Sequence, residues 1–443
     1  MKVKVLLLTF PALVPALALP VYGPRAMAMG GAYVAVADDE ASVYYNPGGM
    51  AAAGDYLACV PNFTIAADDR ITEDFDTYIE LKDAIWHADT SEGIEPLLTA
   101  IDRTADFLEG LAGDPPGVTG YLRYGASFMF GPLAVSWIGG GTGQVALEPD
   151  ANPGRLIPDQ YLETYQSVAF LYLAGYLDSE QLVTLWPSYP DPSGFLGDSE
   201  GNGVGLTDNQ TGARLTNDAR QEFIVTYSDF LWRSGRRDRF FVSTGINIKY
   251  IVTQHYSSRL TARDEGMYTT GPGWIMEQVL STRPVLGHAV SADAGVLGQF
   301  TPFFRLGVLA RDVIPAPISW DEEVAGVPDR LEPLWRIGAA SELVPDLLTF
   351  AVDVDLQREE GMFSPQQDLA LGVRLDFFSG ALWGAAGFRY NLADQSQPPL
   401  FHLGAGMHLK GIRLDLAVGL GRINTSGEAN TYFSASGAMG FSL

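Results

Sequence analysis

Residues 412–420 read Ile-Arg-Leu-Asp-Leu-Ala-Val-Gly-Leu and sort onto two faces. Ile412, Leu414, Leu416, Val418 and Leu420 share one side, and Arg413, Asp415, Ala417 and Gly419 the other. A period of two marks a β-strand with one apolar and one polar face. The pattern recurs along the second half of the chain. Residues 400–409 set Phe401, Leu403, Ala405, Met407 and Leu409 against His402, Gly404, Gly406, His408 and Lys410. Residues 348–357 set Leu348, Phe350, Val352, Val354 and Leu356 against Asp353, Asp355 and Gln357. Residues 368–377 and 242–252 behave alike, with Arg374 and Lys249 on their polar sides.

A water-soluble β-sandwich also alternates, so the pattern needs a second criterion. These segments run about 10 residues, longer than the ordinary strand and close to a tilted membrane-spanning one. Their apolar faces carry no charge over many strands, and aromatic residues gather at the ends: Trp335, Phe377, Tyr390, Phe401 and Phe441. An uncharged band edged by aromatics suits the outside of a lipid-facing barrel, where a mid-depth Lys or Arg costs roughly 2–4 kcal/mol. The expected fold is therefore all-β: a transmembrane antiparallel β-barrel surrounded by outer-membrane lipid.

The connections carry an independent test, because outer-membrane barrels alternate short periplasmic turns with long external loops. The expected strands are 56–67, 121–130, 133–140, 220–231, 239–254, 288–297, 302–312, 333–343, 348–357, 367–377, 381–390, 400–409, 412–421 and 431–443. Short gaps (131–132, 232–238, 298–301, 344–347, 378–380, 410–411) alternate without a break with longer ones, such as 68–120 and 141–219. That gives about 14 strands, an even number, with both termini on the periplasmic side. The last strand places Phe433, Met439, Phe441 and Leu443 on one face.

Residues 1–18 read as an export signal: Lys2 and Lys4, an apolar run from Val5, then Ala16-Leu17-Ala18 as the cleavage site. The run is broken by Pro11 and Pro15 and falls short of a spanning helix. The chain holds one cysteine, Cys59, which excludes an internal disulfide and a Cys-based metal site. Its 28 basic and 53 acidic residues, net charge -25, argue against a nucleic-acid partner.

Residues 19–54 lie between the signal and the first strand. They are small-residued and Gly-rich, too weakly apolar to fold alone, and enter from the periplasmic side. The natural place for them is the barrel lumen, as a plug; a loose periplasmic leader is the alternative. Gly30 and Gly31 permit positive φ or close backbone approach. Asp38 and Asp39 can meet inward cations such as Arg305, Arg336, Arg374, Arg389 or Arg413. Asn46-Pro47 reads as the turn into strand one.

The run Gly30-x-Ala32-x-x-Ala35-x-Ala37-Asp38-Asp39, a short spacer and Asn46-Pro47 resembles the N-terminal hatch of the outer-membrane long-chain fatty-acid transporter (FadL-like) family. The variant Arg25-Ala26-Met27-Ala28-Met29-Gly30-Gly31-Ala32 is similar to PorV-like proteins of type IX secretion and to TraF-like proteins. The motif covers residues 25–50 only. The resemblance implies fourteen strands around a plugged lumen, with gating at Gly30, Gly31, Asp38, Asp39, Asn46 and Pro47. Family members often read Asn-Pro-Ala; this chain has Asn-Pro-Gly-Gly.

The remaining barrel, 55–443, carries helical insertions in the external loops 68–120 and 141–219. Phe75, Tyr78, Ile79 and Trp86, then Leu97, Leu98, Ile101 and Leu108, fall at helical spacing. They form either an apolar surface that captures a hydrophobic small molecule or a lid packed on itself. Asp198 to Asn209 imitates an EF-hand loop but lacks the bidentate Glu. His402 and His408 stand six residues apart on one strand face, about 20 Å, too far to share a metal. With Arg305, Arg336, Asp353, Asp355, Arg374, Arg389, Arg413 and Asp415 they make up the expected polar lumen. No cofactor motif, nucleophile elbow or P-loop is present, so the chain does not read as an enzyme. Two functions remain: uptake of small hydrophobic molecules through a plugged lumen, or a secretion component whose loops bind a periplasmic or secreted protein.

Overall fold

The computed structural model describes residues 21–53, 62–67, 117–148, 212–234, 240–261, 283–322, 329–358, 366–394, 398–409, 411–425 and 428–441, with Glu80 and Arg103. The segments expected to be the signal and the helical capture loops, with Phe75, Tyr78, Ile79, Trp86, Leu97, Leu98, Ile101 and Leu108, lie outside the described residues, as does Cys59.

The fold is a closed antiparallel barrel. Its strands are β1 (Asn62–Ala67), β2 (Gly117–Phe130), β3 (Leu133–Glu148), β4 (Gly212–Ser234), β5 (Phe240–Thr261), β6 (Val285–Thr301), β7 (Phe304–Arg311), β8 (Leu334–Val344), β9 (Leu348–Asp355), β10 (Asp368–Phe377), β11 (Leu382–Asn391), β12 (Leu400–Leu409), β13 (Ile412–Thr425) and β14 (Glu428–Phe441). Each pairs with its sequence neighbours, β5 pairs β6 without interruption, and β1 pairs β14 to close the ring. Of the fifteen strands in the sheet, the two-residue Ser319–Trp320 only flanks β6; the other fourteen form the wall. Among the described residues, closure leaves no strand of the wall without a neighbour on both sides, the condition for placing backbone in hydrocarbon.

The alternation read from the sequence is the division between outside and inside. Leu414, Leu416, Val418 and Leu420 are exposed, whereas Arg413, Asp415 and Ala417 between them are buried. Phe401 and Leu403 point outward from β12, and Ile246, Ile248 and Tyr250 from β5, while His402, Asn247 and Lys249 are buried. Aromatics sit at the rims: Phe130, Trp232, Phe303, Phe378 and Phe441 near the short turns, Trp335 and Phe401 near the long connections. Such a surface is stable only where lipid replaces water.

The expected strands underestimate the wall on its long-loop side. β4 and β5 stay paired from Gly212↔Thr261 down to Ser234↔Phe240, with one bulge between Phe230 and Trp232. The connections expected at 141–219 and 255–287 therefore narrow to 149–211 and 262–284. The added part of β4, residues 212–219, reads Gly-Ala-Arg-Leu-Thr-Asn-Asp-Ala. Its lack of a lipid-facing alternation hid it, because hydrophobic period reports lipid contact rather than pairing.

Residues 21–53 occupy the interior, and almost all are buried. Their first helix, α1 (Pro24–Ala28), packs on β11 to β14. It ends where Gly30 and Gly31 adopt φ of 67° and 95°, with their N–H groups donating to Met27 and Ala26 carbonyls at 2.9 and 2.8 Å. The segment continues through α2 (Ser42–Tyr45), a 3-10 turn at Pro47–Gly49 against β4, β5 and β6, and α3 (Met50–Ala53) against β4 and β5. Small residues let the two backbones meet. A Cβ at Gly372 would lie 2.6 Å from the Met29 Cβ, and one at Gly295 2.6 Å from the Pro47 ring.

Candidate functional site

The N-terminal segment, hereafter the hatch, is fastened to the wall at three places. The first lies at residues 38–40. Arg413 donates to both oxygens of Glu40 at 2.7 and 2.8 Å, to Asp39 at 3.2 Å, and to Asp415 on its own strand. Arg25 of α1 stands 3.8 Å from Asp39 and 3.6 Å from Asp415, over the Trp383 ring. Trp383 Nε1 donates to Asp415 at 2.7 Å, and the Tyr33 hydroxyl to Asp39 at 2.8 Å. Asp38 faces Arg374 at 3.8 Å, and Arg374 also holds Asp376 at 2.9 Å. Burial pushes Glu40 up to about 7, with Asp39 adding to the rise and Arg413 opposing it. Burial would also raise Asp38, but Arg374, Arg25, Arg305 and Arg413 outweigh it and hold that carboxyl below its usual range.

The second fastening is neutral in form. The Tyr33 and Val34 N–H groups both donate to one carboxylate oxygen of Asp353, at 2.7 and 2.8 Å. Asn46 donates to the Val34 carbonyl at 2.9 Å and the Val296 carbonyl at 3.0 Å, while its own carbonyl accepts from Gly48 N–H at 3.0 Å. Ser243 donates to the Gly48 carbonyl at 2.7 Å, and Asn247 to the Val43 carbonyl at 2.8 Å. The Asn46-Pro47 turn thus joins hatch to wall.

The third is aromatic and cationic. Tyr22, Tyr44, Tyr45 and Tyr33 form a chain with centroid separations of 5.5, 5.1 and 5.4 Å. Arg123 and Arg311 each lie 4.3 Å from the Tyr44 ring centre. Behind them Lys249, fully buried, sits 2.7 Å from both Asp293 and Asp312 and 3.6 Å from Glu222. Arg220 and Arg311 complete that cluster at 2.9 and 3.1 Å from Glu222. Neither the tyrosine chain nor the Lys249 cluster was picked out from the sequence. The available signal was the inward parity of Lys249 on β5.

Of the five inward arginines named as alternatives, Arg413 and Arg374 lie within ion-pair distance of the acidic residues of the hatch. Arg305 bonds Gln299 and Glu342, Arg336 bonds Asp355 at 2.5 and 2.8 Å, and Arg389 lies 2.9 Å from Asp368. The reason is register: Arg336 and Asp355 are direct cross-strand partners, so the wall neutralises that cation before the hatch reaches it. Arg336, Arg389, Asp355 and Asp368 line a small cavity of mixed polarity with Gly30, Gly31, Tyr44, Tyr45, Leu309 and Leu334. It lies at the long-loop ends of β8 to β11. His402 is buried and inward; His408, also inward, is half-buried. Among the described residues no group of three His, Cys, Asp or Glu is placed to hold a metal ion.

No family model and no curated protein sequence matches the chain. Solved structures do. The toluene transporter TbuX of Ralstonia pickettii is 12% identical, with 95% of this chain and 98% of that one covered and a TM-score of 0.44. The toluene transporter TodX of Pseudomonas putida is 9% identical, covering 97% and 99%, TM-score 0.46. A FadL homologue from Pseudomonas aeruginosa is 9% identical, covering 96% and 98%, TM-score 0.44. The similarity is one of architecture. These neighbours are FadL-family outer-membrane channels; the barrel of this chain rests on its own strand pairings, and nothing about cargo follows from the likeness.

Proposed function

We propose that this protein is an outer-membrane channel, closed at rest by residues 19–54, that takes up a small hydrophobic compound when the hatch shifts. The observation that carries the reading is the chemistry of the closure. Besides an apolar cluster shared with wall residues such as Met129, Ile138 and Trp383, the hatch is held by ion pairs and hydrogen bonds to inward side chains, and water can replace these polar contacts when it moves. In this reading Gly30 and Gly31 seat the first turn, Asp38 and Asp39 hold the wall cations, and Asn46-Pro47 is the hinge. Residues 1–18 direct export and are removed, and the external loops, with Phe75, Tyr78, Ile79, Trp86, Leu97, Leu98, Ile101 and Leu108, gather the compound.

The ion-paired side of the cavity beside Gly30 and Gly31 favours a second reading. A lumen lined by Arg336, Asp355, Asp368 and Arg389 suits a filled anchor, as in a PorV-like component whose rim binds a protein partner. Purification in detergent followed by mass spectrometry of bound material separates the two. A bound lipid or hydrocarbon, and uptake of an apolar dye by proteoliposomes, support the channel. A stoichiometric protein partner with no uptake overturns it.

A further inference from the structure

Three ionic clusters among the described residues of the lumen differ in their charge balance. Around Lys249, three cations (Lys249, Arg220, Arg311) meet three carboxylates (Glu222, Asp293, Asp312). Around Arg336, two cations (Arg336, Arg389) meet two carboxylates (Asp355, Asp368). At the hatch, two cations (Arg25, Arg413) meet three carboxylates (Asp39, Glu40, Asp415). The adjoining group does not repair the deficit, since Arg374 is shared by Asp38 and Asp376. All three carboxylates at Arg413 are at most 3% exposed.

We propose that the contact between hatch and wall at Arg413 is a proton-dependent latch: it holds one proton on Glu40 when shut, and loosens as rising pH removes it. This rests on the reading of residues 19–54 as a movable hatch and adds its regulation. The buried excess charge has no counter-ion, and in a medium of low dielectric it is costly unless neutralised by a proton.

Glu40 is the group that holds the proton. It is faced by Arg413 and Asp415 from β13, by Asp39 and Tyr22 from the hatch, and by Arg25 and Trp383 around Asp39 and Asp415. Arg413 is shared among three carboxylates, so it cannot give Glu40 a full counter-charge. Glu40 lies near 7 in place and near 4.5 once in water. The stabilisation is therefore complete below about pH 4.5 and is lost as pH rises through about 7. A shift of this kind raises the opening equilibrium of the hatch roughly 10- to 100-fold between pH 5 and pH 8.

The test is amide hydrogen exchange of residues 22–53, read by mass spectrometry on the full chain in detergent at pH 5 and pH 8 and corrected for intrinsic rates. The wild type should lose protection by that factor at pH 8. Glu40→Gln should show equal protection at both values, and at pH 8 more than the wild type. Asp38→Asn, which removes a carboxylate held as an anion, should lower protection at both values and keep the slope. Heat-modifiable gel mobility reports that each barrel is folded. A wild type without the slope, or a Glu40→Gln variant that retains it, overturns the latch. Dye uptake by proteoliposomes at one pH tests the channel separately: no uptake with the slope intact retires the channel and leaves the latch.

Discussion

Arg413→Met removes the cation on which the hatch depends most. In the wild type this guanidinium bonds both oxygens of Glu40 at 2.7 and 2.8 Å, Asp39 at 3.2 Å, and Asp415. None of the four side chains is more than 8% exposed, so solvent screening does little to weaken the loss. The variant leaves three buried carboxylates with Arg25 alone. Breaking a buried pair by deleting one partner costs about 3–5 kcal/mol. At 1.4 kcal/mol per decade, the hatch should open about 100- to 5,000-fold more often. The strand ladder is untouched, so the barrel should keep its heat-modifiable mobility. Hydrogen exchange at fixed pH measures both parts at once: fast exchange in 22–53, unchanged protection in β10 to β13. Adding Glu40→Gln to Arg413→Met should restore part of the protection, because an amide needs no counter-charge. Unchanged exchange of 22–53 in Arg413→Met would refute the ionic account of closure.

Three further substitutions probe other parts of the fold. Asn46→Ala removes the bonds to the Val34 and Val296 carbonyls and from the Gly48 N–H, at about 1–3 kcal/mol; exchange should rise first around residues 46–50. Gly372→Ala places a methyl 2.6 Å from Met29 Cβ and 2.7 Å from its carbonyl oxygen, an overpacking of about 1–3 kcal/mol that should lift the turn after α1 from β10, read as faster exchange of residues 26–31. Leu416→Arg, on the exposed face of β13, should cost roughly 2–4 kcal/mol in a urea titration of folding into vesicles, and the same change at Leu420, nearer the rim, less.

Much of this barrel is written in the alternation of residues such as Leu414, Leu416 and Val418, because each outward position must satisfy hydrocarbon. Strand number and connectivity follow from it and from the short turns. The length of β4 does not, since from Arg214 to Gln221 neither face need be greasy once the wall leaves the membrane. Ion-pair partners were legible in kind only. Arg305, Arg336, Arg374, Arg389 and Arg413 were offered as alternative partners of Asp38 and Asp39; Arg374 and Arg413 lie at the hatch, whereas Arg305, Arg336 and Arg389 pair with Glu342, Asp355 and Asp368. Glu40 stood beside Asp38 and Asp39 without any sequence cue that its side chain would take two bonds from Arg413 where Asp39 takes one. The tyrosine chain depends on how residues 22–45 coil inside the lumen, and local periodicity carries no information on that.

The wall itself is tested most directly by a nitroxide scan of β13, one label at a time from Ile412 to Leu420, in a Cys59→Ser background reconstituted into bilayers. Collision rates with lipid-soluble oxygen and with a water-soluble nickel chelate are compared at each position. The expected profile has period two: high oxygen and low nickel at Leu414, Leu416 and Val418, and low values of both at Arg413, Asp415 and Ala417 against the hatch. A flat profile, or nickel reaching Leu416 freely, would contradict a lipid-facing barrel around a filled lumen.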